Sequence, residues 1–178
     1  MSSILNVFLT AVLLGGALAA QEQNPLSAEV KWSYGVIKNN LLKLAEKMPA
    51  EHYSFRPTPD IETFARRIAH IADANMNVCA GLNGERKPLG AASMQSKEEL
   101  VAALKESFAY CDRVFDSLTD ATASEMVSSR FGGPFPPTPT RSRLATLYNL
   151  VRHSNEMYGY MAVYLRLKGI VPPTSAPE

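Results

Sequence analysis

Apolar side chains recur at steps of three and four in four separate segments of this chain, a spacing that lines one face of an α-helix and cannot line one face of a strand. In the first segment Val30, Tyr34, Ile37, Leu41, Leu44 and Met48 form the stripe. Pro49 stops it, because proline has no backbone N–H to donate and clashes with the preceding turn. A loop, His52-Tyr53-Ser54-Phe55-Arg56-Pro57-Thr58-Pro59, leads to a second stripe at Ile61, Phe64, Ile68, Ile71, Val78 and Leu82, ended by Gly81 and Gly84. The third segment opens on Ser96-Lys97-Glu98-Glu99, the pattern of a capping box, with Leu100, Leu104, Phe108, Cys111, Phe115 and Leu118 turned inward. The fourth runs from about Ser142 to Lys168 and is apolar almost all round, so it is expected to be the most enclosed helix; Gly169 and then Pro172-Pro173 end it.

Between the third and fourth segments, Thr119 to Thr140 contains Gly132-Gly133-Pro134-Phe135-Pro136-Pro137-Thr138-Pro139, which cannot be helical. This stretch is read as a long ordered loop or a short extended excursion. Four helices with two longer connections predict an all-α four-helix bundle, in which sites are built from side chains of facing helices. One domain over residues 24–173 is of ordinary size for a single core, and residues 174–178 are read as a flexible tail.

Residues 1–20 have a different character. An apolar run from Ile4 to Leu14 is followed by Ala17-Leu18-Ala19, the small-residue pattern of a signal-peptide cleavage site, and the amino terminus supplies the positive charge of the leader. The run is shorter than the roughly 20 apolar residues that cross a bilayer. The expectation is a cleaved leader, export to the periplasm or the medium, and no stable membrane anchor afterwards. The formal net charge of +1 without a Lys/Arg cluster lacks the electrostatic footprint of a nucleic-acid binder or a membrane-surface binder. A homodimer through helix faces stays open.

Two histidines, expected to point inward, carry most of the chemical interest. His70 lies beside the second stripe, and Asp73 three residues on shares its face. In the fourth segment His153 and Met157 stand one turn apart, the i, i+4 spacing by which a helix presents two ligands to one ion, with Glu156 between them. A histidine near an apolar face is more often a hydrogen-bonded core residue than a ligand, so the residues alone leave both readings open. His52 is expected at solvent or in a turn cap. Cys79 and Cys111 fall at apolar positions and could be joined in an exported protein or could be small buried hydrophobes. Tyr158, Tyr160 and Tyr164 are read as pocket or core residues with edge-seeking hydroxyls, and Arg56 and Arg166 as ties between loop and helix ends. The chain has no Gly-rich phosphate loop, no serine nucleophile elbow and no Cys-x-x-Cys pair.

The segments Tyr53-Ser54-Phe55-Arg56-Pro57-Thr58-Pro59, Ala69-His70-Ile71-Ala72-Asp73-Ala74-Asn75, His153-Ser154-Asn155-Glu156-Met157-Tyr158-Gly159 and Tyr164-Leu165-Arg166-Leu167-Lys168-Gly169-Ile170-Val171-Pro172-Pro173 together resemble the DinB-like (DinB/YfiT-like) superfamily of four-helix bundles. The resemblance implies a divalent-metal site of three histidines, one from the second helix and two at His-x-x-x-His spacing from the fourth, with open positions for water or a thiolate substrate. His70 and His153 match the first two, and the third falls on Met157. A thioether is a weak ligand for Zn²⁺, Ni²⁺ or Fe²⁺. Three readings follow. Met157 fills the core of a degenerate site that holds no metal, or Asp73, Glu156 or water completes a two-histidine site, or two imidazoles and a thioether bind Cu(I). In the second reading, Glu156 or Asp73 serves as general base, while Asp73 could equally orient His70. The function implied is a metal-dependent hydrolase or thiol-linked transferase acting on an unidentified small molecule. The competing reading is a catalytically inactive bundle that binds a small molecule or a protein.

Overall fold

The structure is a computed structural model, and it describes residues 24–128 and 140–175. The expected leader at 1–20, the segment Gly132 to Pro139 and the last three residues of the expected tail lie outside the described residues.

Four long helices form the bundle: α1 (Pro25–Lys47), α2 (Phe64–Leu82), α3 (Lys97–Asp116) and, after a one-turn α4 (Asp120–Ala123) and two short strands, α5 (Arg143–Leu167). The chain folds so that α1 neighbours α5 and α3, and α2 neighbours α3 and α5, closing a ring around one core. Phe64, Phe108, Phe115, Ile37, Leu41, Leu44, Ile68 and Leu104 are fully buried in it, each contributing about 1.5–3 kcal/mol of transfer free energy. These are stripe residues of all three preceding segments. The packing of α2 is closest against α3 and looser against α5, which leaves a seam between α2 and α5.

Helix ends follow local chemistry. At α3, Ser96 Oγ accepts from Glu99 N–H (3.2 Å) and Glu99 accepts from Ser96 N–H (3.1 Å), the reciprocal box read in the sequence. Both α2 and α5 end on a glycine in the left-handed region, Gly84 and Gly169 (φ 72° in each). There the 6→1 bonds Glu85 N–H to Ala80 O and Ile170 N–H to Leu165 O close Schellman motifs. The start of α2 is later than the stripe implied. Ile61 lies before the helix and is 37% exposed, because Thr63 caps α2 by accepting from Arg66 N–H.

The fourth stripe is less enclosed than expected: Tyr148, Tyr160, Val163 and Leu167 of α5 are exposed. A bundle helix keeps one face outward however apolar its sequence, and α5 fills its inner face with Leu147, Leu150, Met161 and Leu165. The extended excursion is realised as an antiparallel pair of β1 (Met126–Ser128) and β2 (Thr140–Ser142), in register Val127 opposite Arg141. Thr174 and Ser175, assigned to the tail, sit in a 3₁₀ turn (Pro173–Ser175) held by Tyr158 Oη to Thr174 Oγ1 (2.9 Å) and Arg166 to Ser175 (2.8 Å).

Two long-range ties lie beyond sequence patterning. The Asp120 carboxylate accepts the Leu26 and Ser27 N–H groups at the start of α1 (3.1 and 2.7 Å), while Asn24 accepts Asp120 N–H (2.8 Å). Cys79 of α2 and Cys111 of α3, both fully buried, are joined by a disulfide with Cα atoms 5.3 Å apart, which decides between the two readings of these cysteines.

Candidate metal centre

The seam between α2 and α5 holds the histidines. The two helices run antiparallel, as three pairs show: His70 with His153, Arg67 with Tyr160, and the Glu62 carbonyl, which accepts from Tyr164 Oη at 2.6 Å. Advancing along α5 therefore means retreating along α2.

His70 Nε2 and His153 Nε2 approach to 3.0 Å, with ring planes inclined at 65°. The pair sits on the rim and not inside the bundle: His153 is half-buried and His70 is exposed. Burial and the neighbouring His70 push the His153 imidazole down to about 4, with Arg152 acting in the same direction and the Glu156 carboxylate opposing it. His153 is therefore neutral at pH 7. Its nitrogen offers a lone pair or a single N–H, never an imidazolium, and a neutral imidazole is the form that binds metals.

The spacing fits two states. It is a hydrogen-bond distance, in which one ring donates and the other accepts. It is also near the separation of two nitrogens on one ion, which metal–nitrogen bonds of about 2.0–2.1 Å place about 2.9–3.4 Å apart between right-angled and tetrahedral geometry. The two imidazoles therefore fit half of a metal site. The remaining expected donors are disposed differently. Met157 faces the apolar core. Both Asp73 oxygens accept backbone N–H groups, from Ala91 (2.9 Å) and Ala92 (3.0 Å), and so anchor the 3₁₀ turn Ala91–Ser93 to α2. Glu156 is exposed, receives the Tyr160 hydroxyl (3.1 Å) and pairs with Arg152 (3.6 Å). Among the described residues, no group of three or more His, Cys, Asp or Glu side chains could hold a metal ion. His52 lies in a 3₁₀ turn, Ala50–His52, on the connection between α1 and α2.

The sequence reading missed Arg67. It stands one turn before His70, a spacing that could have drawn attention to it. Its guanidinium lies over the Tyr160 ring at 5.7 Å from the centroid, and its Nε is buried without a hydrogen bond among the described residues. The other singled-out residues are structural: Arg56 donates to the Pro59 carbonyl (3.1 Å), and Tyr53 donates to the Ala45 carbonyl (2.7 Å).

The sequence profile of the DinB superfamily matches residues 37–161, which include α2, α3 and both histidines. In fold, the chain is similar to a DinB-like protein from Bacillus cereus, with a TM-score of 0.68 at 18% identity, covering 85% of this chain and 97% of that one. It is also similar to a DinB-like protein from Bacillus subtilis, with a TM-score of 0.59 at 20% identity, covering 79% and 92% of the two chains. At such identities the likeness is one of fold. No curated protein matches.

Proposed function

The chain belongs to the DinB superfamily, and from that premise we propose that it is an exported protein whose His70–His153 pair binds a divalent metal ion in a hydrolase or thiol-linked transferase. The observation that carries this reading is the convergence of the two Nε2 atoms at 3.0 Å on the rim of the bundle, where a small molecule has access. The depressed basicity of His153 keeps its lone pair available at neutral pH.

His70 and His153 hold the ion, which is Zn²⁺, Ni²⁺ or Fe²⁺ by the preference of imidazole donors. When bound it supplies Lewis acidity to the substrate. Around it, Glu156 accepts a proton from the attacking group, and the Tyr160 hydroxyl fixes one of its oxygens. Asp73 is a poorer base, because both of its oxygens already accept N–H groups. Met157 reaches the ion only by leaving the core; if it does, the soft donor set of two imidazoles and a thioether favours Cu(I).

Export is supported by the leader pattern of residues 1–20 and by the buried disulfide, a bond that persists in oxidising compartments. Among the described residues no helix is long and apolar enough to cross a membrane.

A second reading rests on the same 3.0 Å distance. The imidazoles could simply hydrogen-bond to one another in an inactive bundle that binds a small molecule or a protein. Metal analysis of protein purified without added ions separates the two. Stoichiometric metal that is lost in the His70→Ala, His153→Ala double variant is the expected result. Metal-free protein whose melting temperature ignores both Zn²⁺ and chelator would overturn the metal reading. Met157→His restores a third imidazole and is expected to tighten Zn²⁺ binding by at least about tenfold.

A further inference from the structure

Among the described residues, Arg67 is a cation in this seam that no carboxylate engages. Its neighbour Arg66 is fully employed, pairing with Glu62 (3.8 Å) and donating to the Ala92 carbonyl (2.9 Å). Arg152 pairs with Glu156. Arg67, by contrast, forms no ion pair among the described residues, and its buried Nε–H has no acceptor there. What it does have is the face of Tyr160, whose ring lies 5.7 Å from the guanidinium carbon. A guanidinium is always charged and carries five donors in a fixed fork. Holding one half-buried without an anion is costly unless something else supplies the acceptor.

Its location gives that acceptor a purpose. Arg67 and His70 lie three residues apart on α2, about 4.5 Å along the axis. Tyr160 and His153 flank them in the antiparallel order of α5. Tyr160 stands seven residues from His153, about 10.5 Å along α5, so one small molecule spans the distance between an anion on Arg67 and the imidazoles on the accessible rim.

We propose that Arg67 is the anchor for a carboxylate on the small molecule bound at the His70–His153 pair, so that the substrate is a carboxylic acid whose reacting group lies over the imidazoles. The inference rests on the reading of that pair as the functional centre. A planar carboxylate matches the planar fork with two parallel N–H···O bonds. A dianionic phosphate is disfavoured, because its second negative charge meets the Glu156 carboxylate, tied to the Tyr160 hydroxyl close by.

The test uses the full chain, metal-free and Zn²⁺-loaded, titrated with propionate, its neutral isostere propionamide, and inorganic phosphate. Binding is followed by nuclear magnetic resonance at the Arg67 Nε–H and the histidine side chains. Propionate is expected to bind at least about tenfold tighter than propionamide or phosphate, to shift Arg67 Nε–H, and to lose about tenfold or more in R67M, with R67K intermediate and Zn²⁺ affinity unchanged in both. If R67M fails to fold, R67K and the wild-type Arg67 resonance still decide the matter. Equal binding of propionate and propionamide, a preference for phosphate, or an R67M protein that binds propionate like wild type would overturn the proposal. The two readings fail separately. Zn²⁺ binding without Arg67-dependent propionate binding sinks this inference alone, and the reverse result sinks the metal reading alone.

Discussion

The tertiary structure alters the chemistry of His153. Its folded-state pKa of about 4 lies below the ordinary histidine value of 6.5, so between these two pH values the unfolded chain binds a proton that the folded chain refuses. Stability then rises with pH across that window: the contribution is fully present above about pH 6.5 and is lost as the pH falls toward 4. Comparing urea unfolding of wild type and His153→Gln at pH 7 and pH 4.5 is expected to show a difference on the order of 1–2 kcal/mol in this dependence, after discounting for solvent screening. Parallel pH profiles for the two proteins would mean that His153 is not held neutral by its surroundings. At this scale the sequence was informative where spacing along one helix decides the geometry. His70 and His153 were legible one by one as candidate residues on predicted helical faces, and as partners only through the resemblance to the DinB-like superfamily. The roles of Asp73 and Arg67 were not. Asp73 turns to a loop 18 residues downstream, and Arg67 turns to a ring on another helix.

At the scale of elements, the caps were the most readable features, because their chemistry is complete within five or six residues. Ser96 and Glu99 form their box without help from the rest of the chain. Ser96→Ala is expected to cost about 1 kcal/mol, seen as a lower urea midpoint with faster amide exchange in the first turn of α3. An unchanged midpoint would show that the rest of the bundle holds that turn without the cap. Boundaries set by distant groups were less legible. The stripe of α2 included Ile61, but the helix starts at Phe64, where Thr63 supplies a cap and Tyr164 takes the Glu62 carbonyl out of the helical ladder. Nor could the apolar pattern of α5 reveal which of its faces stays outward. Val163 and Leu167 are apolar in sequence, and only the packed bundle shows that they stay exposed.

For the whole molecule, the disulfide is a covalent constraint within the core. Cys79 and Cys111 are 32 residues apart in sequence, and closing a loop of that size in the unfolded chain stabilises the fold by roughly 3–4 kcal/mol in the chain-entropy treatment. Cys79→Ala with Cys111→Ala is expected to lower unfolding free energy by about that much or more, and thiol titration of the unfolded wild-type protein should find no free thiol before reduction. Two titratable thiols would show that the cysteines are unpaired. The sequence by itself determined the all-helical class, the four stripes, the locally capped helix ends and the two candidate histidines, since all of these depend on periodicity and on hydrogen bonds between near neighbours. Tertiary structure alone decided the antiparallel meeting of α2 and α5, the 3.0 Å approach of the imidazoles on the rim, the withdrawal of Asp73 and Met157 from them, and the pairing of the cysteines. The physical reason is the same in each case. Local periodicity fixes which way a side chain leaves its own helix, whereas distances between helices depend on how the full set of buried side chains packs.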